Sequence, residues 1–158
     1  MNHKALKIFI YLALFLLFLS TAIFFNSRTN LKDTSQEILL EDFDNILKQI
    51  NKIKFYSNEH STTIERNDDG WVLSSHDNFP ANAGELRKFF YNLREAKVVA
   101  LKTAKKDRHY KLGLGEDSKI TLLLNNNDQE LAAFDLGVYN YLVGGTYVKE
   151  KDNAQSFL

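Results

Sequence analysis

The feature that most limits what this chain can become is a run without charge. Residues 8–25, IFIYLALFLLFLSTAIFF, are eighteen residues with no Asp, Glu, Lys or Arg. At about 1.5 Å rise per residue they would make roughly 27 Å of helix, close to the hydrocarbon core of a bilayer. Lys4 and Lys7 precede the run, whereas Arg28 and Lys32 follow it. The leading lysines favour a cytoplasmic N-terminus and an exported remainder. A cleaved signal peptide is the rival reading, because Ser20-Thr21-Ala22 supplies small residues of the kind a peptidase accepts. Cleavage there would leave Ile23-Phe24-Phe25 at the new terminus, which favours an uncleaved anchor. Both readings put residues 30–158 on the same side of the membrane.

The rest of the composition narrows the function. The chain has 158 residues, with 20 Lys plus Arg against 20 Asp plus Glu, so its formal net charge is zero. A nucleic-acid binder usually carries a basic excess, so none is expected as a partner. There is no cysteine, which removes disulfides, thiolate metal sites and a cysteine nucleophile.

Periodicity sets out the exported part. Thr34 and Glu37 have capping-box spacing ahead of a stripe formed by Leu39, Phe43, Ile46, Leu47 and Ile50. This predicts a membrane-proximal helix within residues 29–51. KIKFYS, TTIERN and WVLSS read as strands, the last two joined through Asp68-Asp69-Gly70. Pro80 then introduces a helix with Asn82 as N-cap and Leu86, Phe89, Phe90, Leu93 and Ala96 on one face. KVVAL reads as a short strand. Thr103 is expected to cap a short helix carrying Lys105, Lys106, Arg108 and Lys111. KITLLL and ELAAFDLG follow as strands around an Asn125–Asp128 turn, then YLVGGTYVKE, and AQSFL begins another extended segment. The fold class is therefore α+β: an N-terminal transmembrane helix, residues 1–28, then antiparallel β hairpins packed against one main amphipathic helix, with residues 52–158 as the α+β domain.

Chemistry-bearing patterns are few. Gly113-Leu114-Gly115 suggests a phosphate loop, but a dinucleotide fingerprint needs a third glycine where Ser118 stands, and needs a strand before and a helix after. Here the order is reversed, so Gly113 reads as the left-handed residue closing a helix. His3, His60, His76 and His109 lack metal-ligand spacing, and no serine sits in a Gly-x-Ser-x-Gly elbow. No catalytic residue, cofactor or metal is expected, and the chain is read as a non-enzyme. Lys102, Lys105, Lys106, Arg108 and Lys111 form a basic patch that is either a solvated face or a dock for anionic head groups or an acidic partner. Trp71, Pro80, Tyr110 and Gly113 are read as structural.

The ordered set Gly70-Trp71, Pro80-Ala81, Lys102-Thr103-Ala104, Tyr110 with Leu112-Gly113-Leu114, and AQSFL resembles the bacterial domain of unknown function 4340 over residues 40–158. The resemblance implies an envelope protein with a membrane helix and an exported α+β region, accessory to an ABC-type export or gliding-type system. It carries over no catalytic residue. Similar proteins continue past AQSFL, so the resemblance implies that the chain is the N-terminal part of such a domain, with an exposed edge strand and uncovered apolar surface at its end. A periplasmic small-molecule binding domain, or a hydrolase whose site assembles in space, are the rival functions.

Overall fold

A computed structural model describes residues 37–158. The apolar run, Lys4, Lys7, His3 and Thr34 lie outside the described residues, and so does the transmembrane expectation. Among the described residues no helix is long and apolar enough to cross a membrane. The described residues form one compact unit.

Ten strands and two α-helices make up this unit. In chain order they are β1 (Glu37–Ile38), α1 (Phe43–Gln49), β2 (Lys52–Tyr56), β3 (Ser61–Asn67), β4 (Gly70–Leu73), β5 (Phe79–Pro80), α2 (Ala83–Arg94), β6 (Lys97–Val98), a 3-10 helix (Lys106–Leu112), β7 (Ile120–Asn126), β8 (Gln129–Asn140), β9 (Gly145–Glu150) and β10 (Ser156–Phe157). Eight strands form one antiparallel sheet in the order β10-β9-β8-β7-β2-β3-β4-β5, and β1 pairs with β6 apart from it. The unit is α+β, as expected.

Alternation in β2 explains the layering. Ile53 and Phe55 face one side, and their partners Ile64 on β3 and Leu124 and Leu122 on β7 share that side. The α2 stripe meets this surface: Phe89 packs edge-on against Phe55 at 5.7 Å between ring centroids, and Phe90 lies 5.9 Å from Trp71. Ile50, Ile53, Leu86, Leu122 and Leu124 are the buried centre, with Ile46 and Leu47 of α1 packed against it. Of the helix stripe expected at residues 29–51, Ile46, Leu47 and Ile50 thus belong to this core, and Phe43 is buried as well. Helix α2 starts where the sequence placed it, with Asn82 Oδ1 accepting the N–H groups of Gly84 and Glu85 at 2.9 and 3.2 Å.

The α1 boundary departs from expectation. Glu37, read as the third residue of a capping box, sits in β1, and the helix begins at Phe43 after Asp42. The pairing of Glu37 with Val98 and the bond from Leu39 N to Ala96 O commit this stretch to an extended ladder before a helix can form. Similarly, YLVG is no part of β9. Tyr141, Leu142 and Val143 form the turn between β8 and β9, and the strand starts at Gly145.

The chain end also differs in part. As expected, β10 pairs with β9, Ser156 opposite Lys149 and Phe157 opposite Val148. Its other edge is not exposed. Residues 99–103 run beside it, with Val99 N and Ala100 N donating to Leu158 O, Leu158 N to Ala100 O, Lys102 N to Ser156 O and Ser156 N to Thr103 O. This covers the row of unpaired backbone groups that an edge strand would present, and Leu158 is buried.

Candidate functional site

A row of polar side chains crosses four strands on the face away from α2. Register sets it: Thr121 on β7 lies opposite Asp135 on β8, Asp135 opposite Lys149 on β9, and Lys149 opposite Ser156 on β10. All four are buried, and Asp135 and Ser156 are 0% exposed. Asp135 accepts from Thr121 Oγ1 at 2.7 Å and is paired with Lys149 Nζ at 2.6 Å and Lys119 Nζ at 3.2 Å. Lys119 also meets Glu116 at 2.9 Å, and Lys149 Nζ donates to Lys151 O at 2.9 Å.

Residues 103–118 form the lid over this row. His109 is buried, and its Nε2 lies 3.0 Å from Ala154 O. A carbonyl only accepts, so that nitrogen carries the proton. Ser156 Oγ donates to Thr103 O at 2.8 Å and accepts from Thr103 N at 3.1 Å. Thr103 was expected to cap a helix directly. Its Oγ1 accepts from Lys105 N, while the helix that follows is 3-10, starts at Lys106 and has Lys105 as an N-cap without a side-chain bond.

The Gly113 reading holds. Gly113 closes the 3-10 helix with φ 68°, in the left-handed region. A Cβ there would lie 2.6 Å from Val138 Cγ1. A Cβ on Gly137 would run into Leu112 O, so two glycines let the helix end press against β8. The register shift between Leu136 and Tyr139 falls at this contact.

Burial opposes the charge on Asp135, but the hydrogen bonds from Lys149, Thr121 and Lys119 outweigh it and hold the carboxyl below the usual carboxylate value. Burial also opposes the Lys119 charge, and its bonds to Glu116 and Asp135 outweigh that and raise its pKa. A carboxylate held ionised by three donors is a poor base, and an ammonium held charged by two carboxylates is a poor acid. The row works as an ionic clamp between sheet and lid. Beside it lies a cleft of about 390 Å³ lined by Lys106, His109, Glu116, Lys119, Lys149 and Asp152.

The five cations of the basic patch, Lys102, Lys105, Lys106, Arg108 and Lys111, are all exposed. Lys106 lines the cleft, Lys102 Nζ lies 5.9 Å from the centre of the Tyr147 ring, and Lys111 Nζ lies 5.8 Å from that of Tyr110. Of the residues read as structural, Trp71 packs on Phe90 but stays half-exposed, and Pro80 is exposed in the edge strand β5. Tyr110 is 66% exposed and plays no part in the core. Asp68 and Asp69 sit at the β3–β4 turn, and no group of acidic residues, histidines or cysteines among the described residues could hold a metal.

One surface feature was missed. At the β8–β9 turn Tyr141 is 89% and Leu142 98% exposed, and Val138, Tyr139 and Val143 are exposed around them. Asn140 Oδ1 accepts from Leu142 N and Val143 N at 3.0 and 3.3 Å, which fixes the turn. Tyr139 and Tyr141 meet edge-on at 4.9 Å.

With this geometry in hand, the comparison that decides the family is a match over residues 71–156 to the domain of unknown function DUF4340. The chain belongs to this family. The DUF4340 span is narrower than the resemblance drawn from residue 40 and lies in the C-terminal part of the chain. It contains the entire polar row, the lid and the β8–β9 turn. No curated protein and no solved structure matches the chain.

Proposed function

We propose that the chain is a membrane-anchored, envelope-facing assembly or binding module without catalysis of its own, accessory to an ABC-type transport or gliding-type system. The observation that carries this reading is where the chemistry lies. The charged groups of Asp135, Lys149 and Lys119 are used up in one another. The unsatisfied surface is instead apolar and aromatic, at the β8–β9 turn. Contiguous exposed apolar residues mark contact surfaces rather than reaction centres. The uncharged run at residues 8–25 supports the anchor, and Lys4 and Lys7 support the periplasmic orientation.

A small-molecule binding domain is the second reading. An apolar cleft of about 310 Å³ between α2 and β2–β4, walled by Phe55, Ile64, Leu73 and Phe89, favours it. Its polar lining, Asn82 and Glu85, belongs to the start of α2, and the Asn82 carbonyl oxygen is already engaged there.

Blue-native electrophoresis of gently solubilised membranes from a producing bacterium tests the module. Migration within a complex much larger than the 18.2 kDa chain is expected. Migration as a single chain at every detergent concentration would sink the assembly role.

A further inference from the structure

We infer that the β8–β9 turn is a bilayer-contacting tip, and that its ligand is the surface of a membrane containing anionic lipid. The inference rests on the anchoring reading and names what the anchored domain touches.

Side-chain chemistry comes first. Tyr141, Leu142 and Val143 stand at the end of a two-stranded projection, with Leu142 almost wholly in water. Exposed apolar and aromatic side chains at a strand turn suit shallow burial in the headgroup and acyl boundary. Tyrosine is the residue type that prefers this boundary, with its ring in the apolar layer and its hydroxyl in the headgroups. Tyr139 and Tyr141, stacked edge-on, supply two such rings.

Charge supplies the second argument. From Gly137 through Lys149 the sequence contains no Asp or Glu. Two exposed cations stand at the base of the tip. Lys102 lies over Tyr147, whose hydroxyl accepts from Asn140 Nδ2 at 2.8 Å, and Asn140 in turn holds the turn backbone. Lys111 is next to Leu112, whose carbonyl abuts Gly137 at the root of the projection. An apolar tip with two lysines at its base complements a negative lipid surface and is drawn less to a neutral one.

Reach is the third. Between residue 25, the end of the uncharged run, and residue 37, the first of β1, a fully extended chain spans at most about 40 Å. A domain tied to an anchor by so short a tether stays beside the bilayer.

The absence of cysteine makes the test direct. The full chain carrying Leu142→Cys, labelled with an environment-sensitive fluorophore, is reconstituted into phosphatidylcholine vesicles with and without phosphatidylglycerol. A second preparation carries the label through Asp69→Cys, at the β3–β4 turn. The label at 142 is expected to shift to the blue and to be quenched by spin-labelled lipid in the anionic vesicles. The shift should shrink in pure phosphatidylcholine, in high salt, and when Lys102→Glu and Lys111→Glu are added. The label at 69 should report water throughout. If the chain floats with the vesicles while the label at 142 reports water, the tip inference fails and the anchor stands. If the chain does not float, the anchor fails and the inference falls with it. A shift that appears only as protein is crowded on the vesicles, without lipid quenching, assigns the tip to a second protein copy and overturns the proposal.

Discussion

Removing the Asp135 carboxylate with Asp135→Ala should be the most damaging single change in the polar row. The substitution deletes one hydrogen bond from Thr121 and two ion pairs, to Lys149 and Lys119. The two lysines do not suffer equally. Lys119 keeps Glu116 at 2.9 Å and its side chain is 18% exposed, whereas Lys149 keeps only carbonyl partners and its side chain is 9% exposed. Breaking a buried pair leaves an uncompensated charge and costs about 3–5 kcal/mol. Lys119→Met, by contrast, leaves Asp135 with Lys149 and Thr121 and should cost about 1 kcal/mol, in the range of partly exposed pairs. A small domain has about 5–15 kcal/mol in total, so Asp135→Ala should lower the thermal midpoint by more than about 10 °C. Thermal unfolding followed through Trp71, the chain's single tryptophan, reads this out. The double variant Asp135→Leu with Lys149→Met removes both charges and should recover most of the loss. The reasoning is refuted if Asp135→Ala costs under about 1 kcal/mol or if Lys119→Met costs as much.

The same cluster sets a pH profile. The Asp135 pKa is depressed on folding, so its contribution is present above the unfolded value near 3.9 and is lost as pH falls through the lower folded value. The Lys119 pKa is raised, so its contribution is present below the unfolded value near 10.4 and is lost as pH rises through the higher folded one. Unfolding midpoints measured across pH should therefore stay level near neutrality and drop below about pH 4, and Asp135→Leu with Lys149→Met should flatten the acid drop. Gly113→Ala combines left-handed strain with a clash on Val138 and should cost about 2–4 kcal/mol in urea titration; a loss within 0.5 kcal/mol would contradict the tight approach of the lid to β8. Trp71→Ala should cost about 2–3 kcal/mol, less than a fully buried aromatic, because the indole is half-exposed; an unchanged midpoint would remove it from the core.

Local chemistry was the legible part of the fold. Asn82 caps α2 because a side-chain acceptor meets two orphan N–H groups, a decision made within three residues. The Asp68-Asp69 turn and the left-handed Gly113 are equally local. What escaped was non-local. Thr121, Asp135, Lys149 and Ser156 are far apart in the chain and become neighbours only through strand register. One signal was on the page: an aspartate inside the apolar stretch LAAFDLG has to find a cation when its strand is buried on both faces. The β10 edge was misjudged because its cover, residues 99–103, comes from far back in the chain, directly after β6. The apolar turn at Tyr141–Val143 resembled strand because its residue types are those of strands; Asn140 and the left-handed Gly144 turn the chain there.

Topology is the claim on which the functional reading depends. Protease added to sealed spheroplasts producing the full chain reaches only what lies outside the inner membrane. Digestion of residues 30–158, with an N-terminal fragment left in the membrane pellet after carbonate washing, is the expected result. An intact chain protected until the membrane is opened, or a chain released by the wash, would contradict the anchored, envelope-facing module.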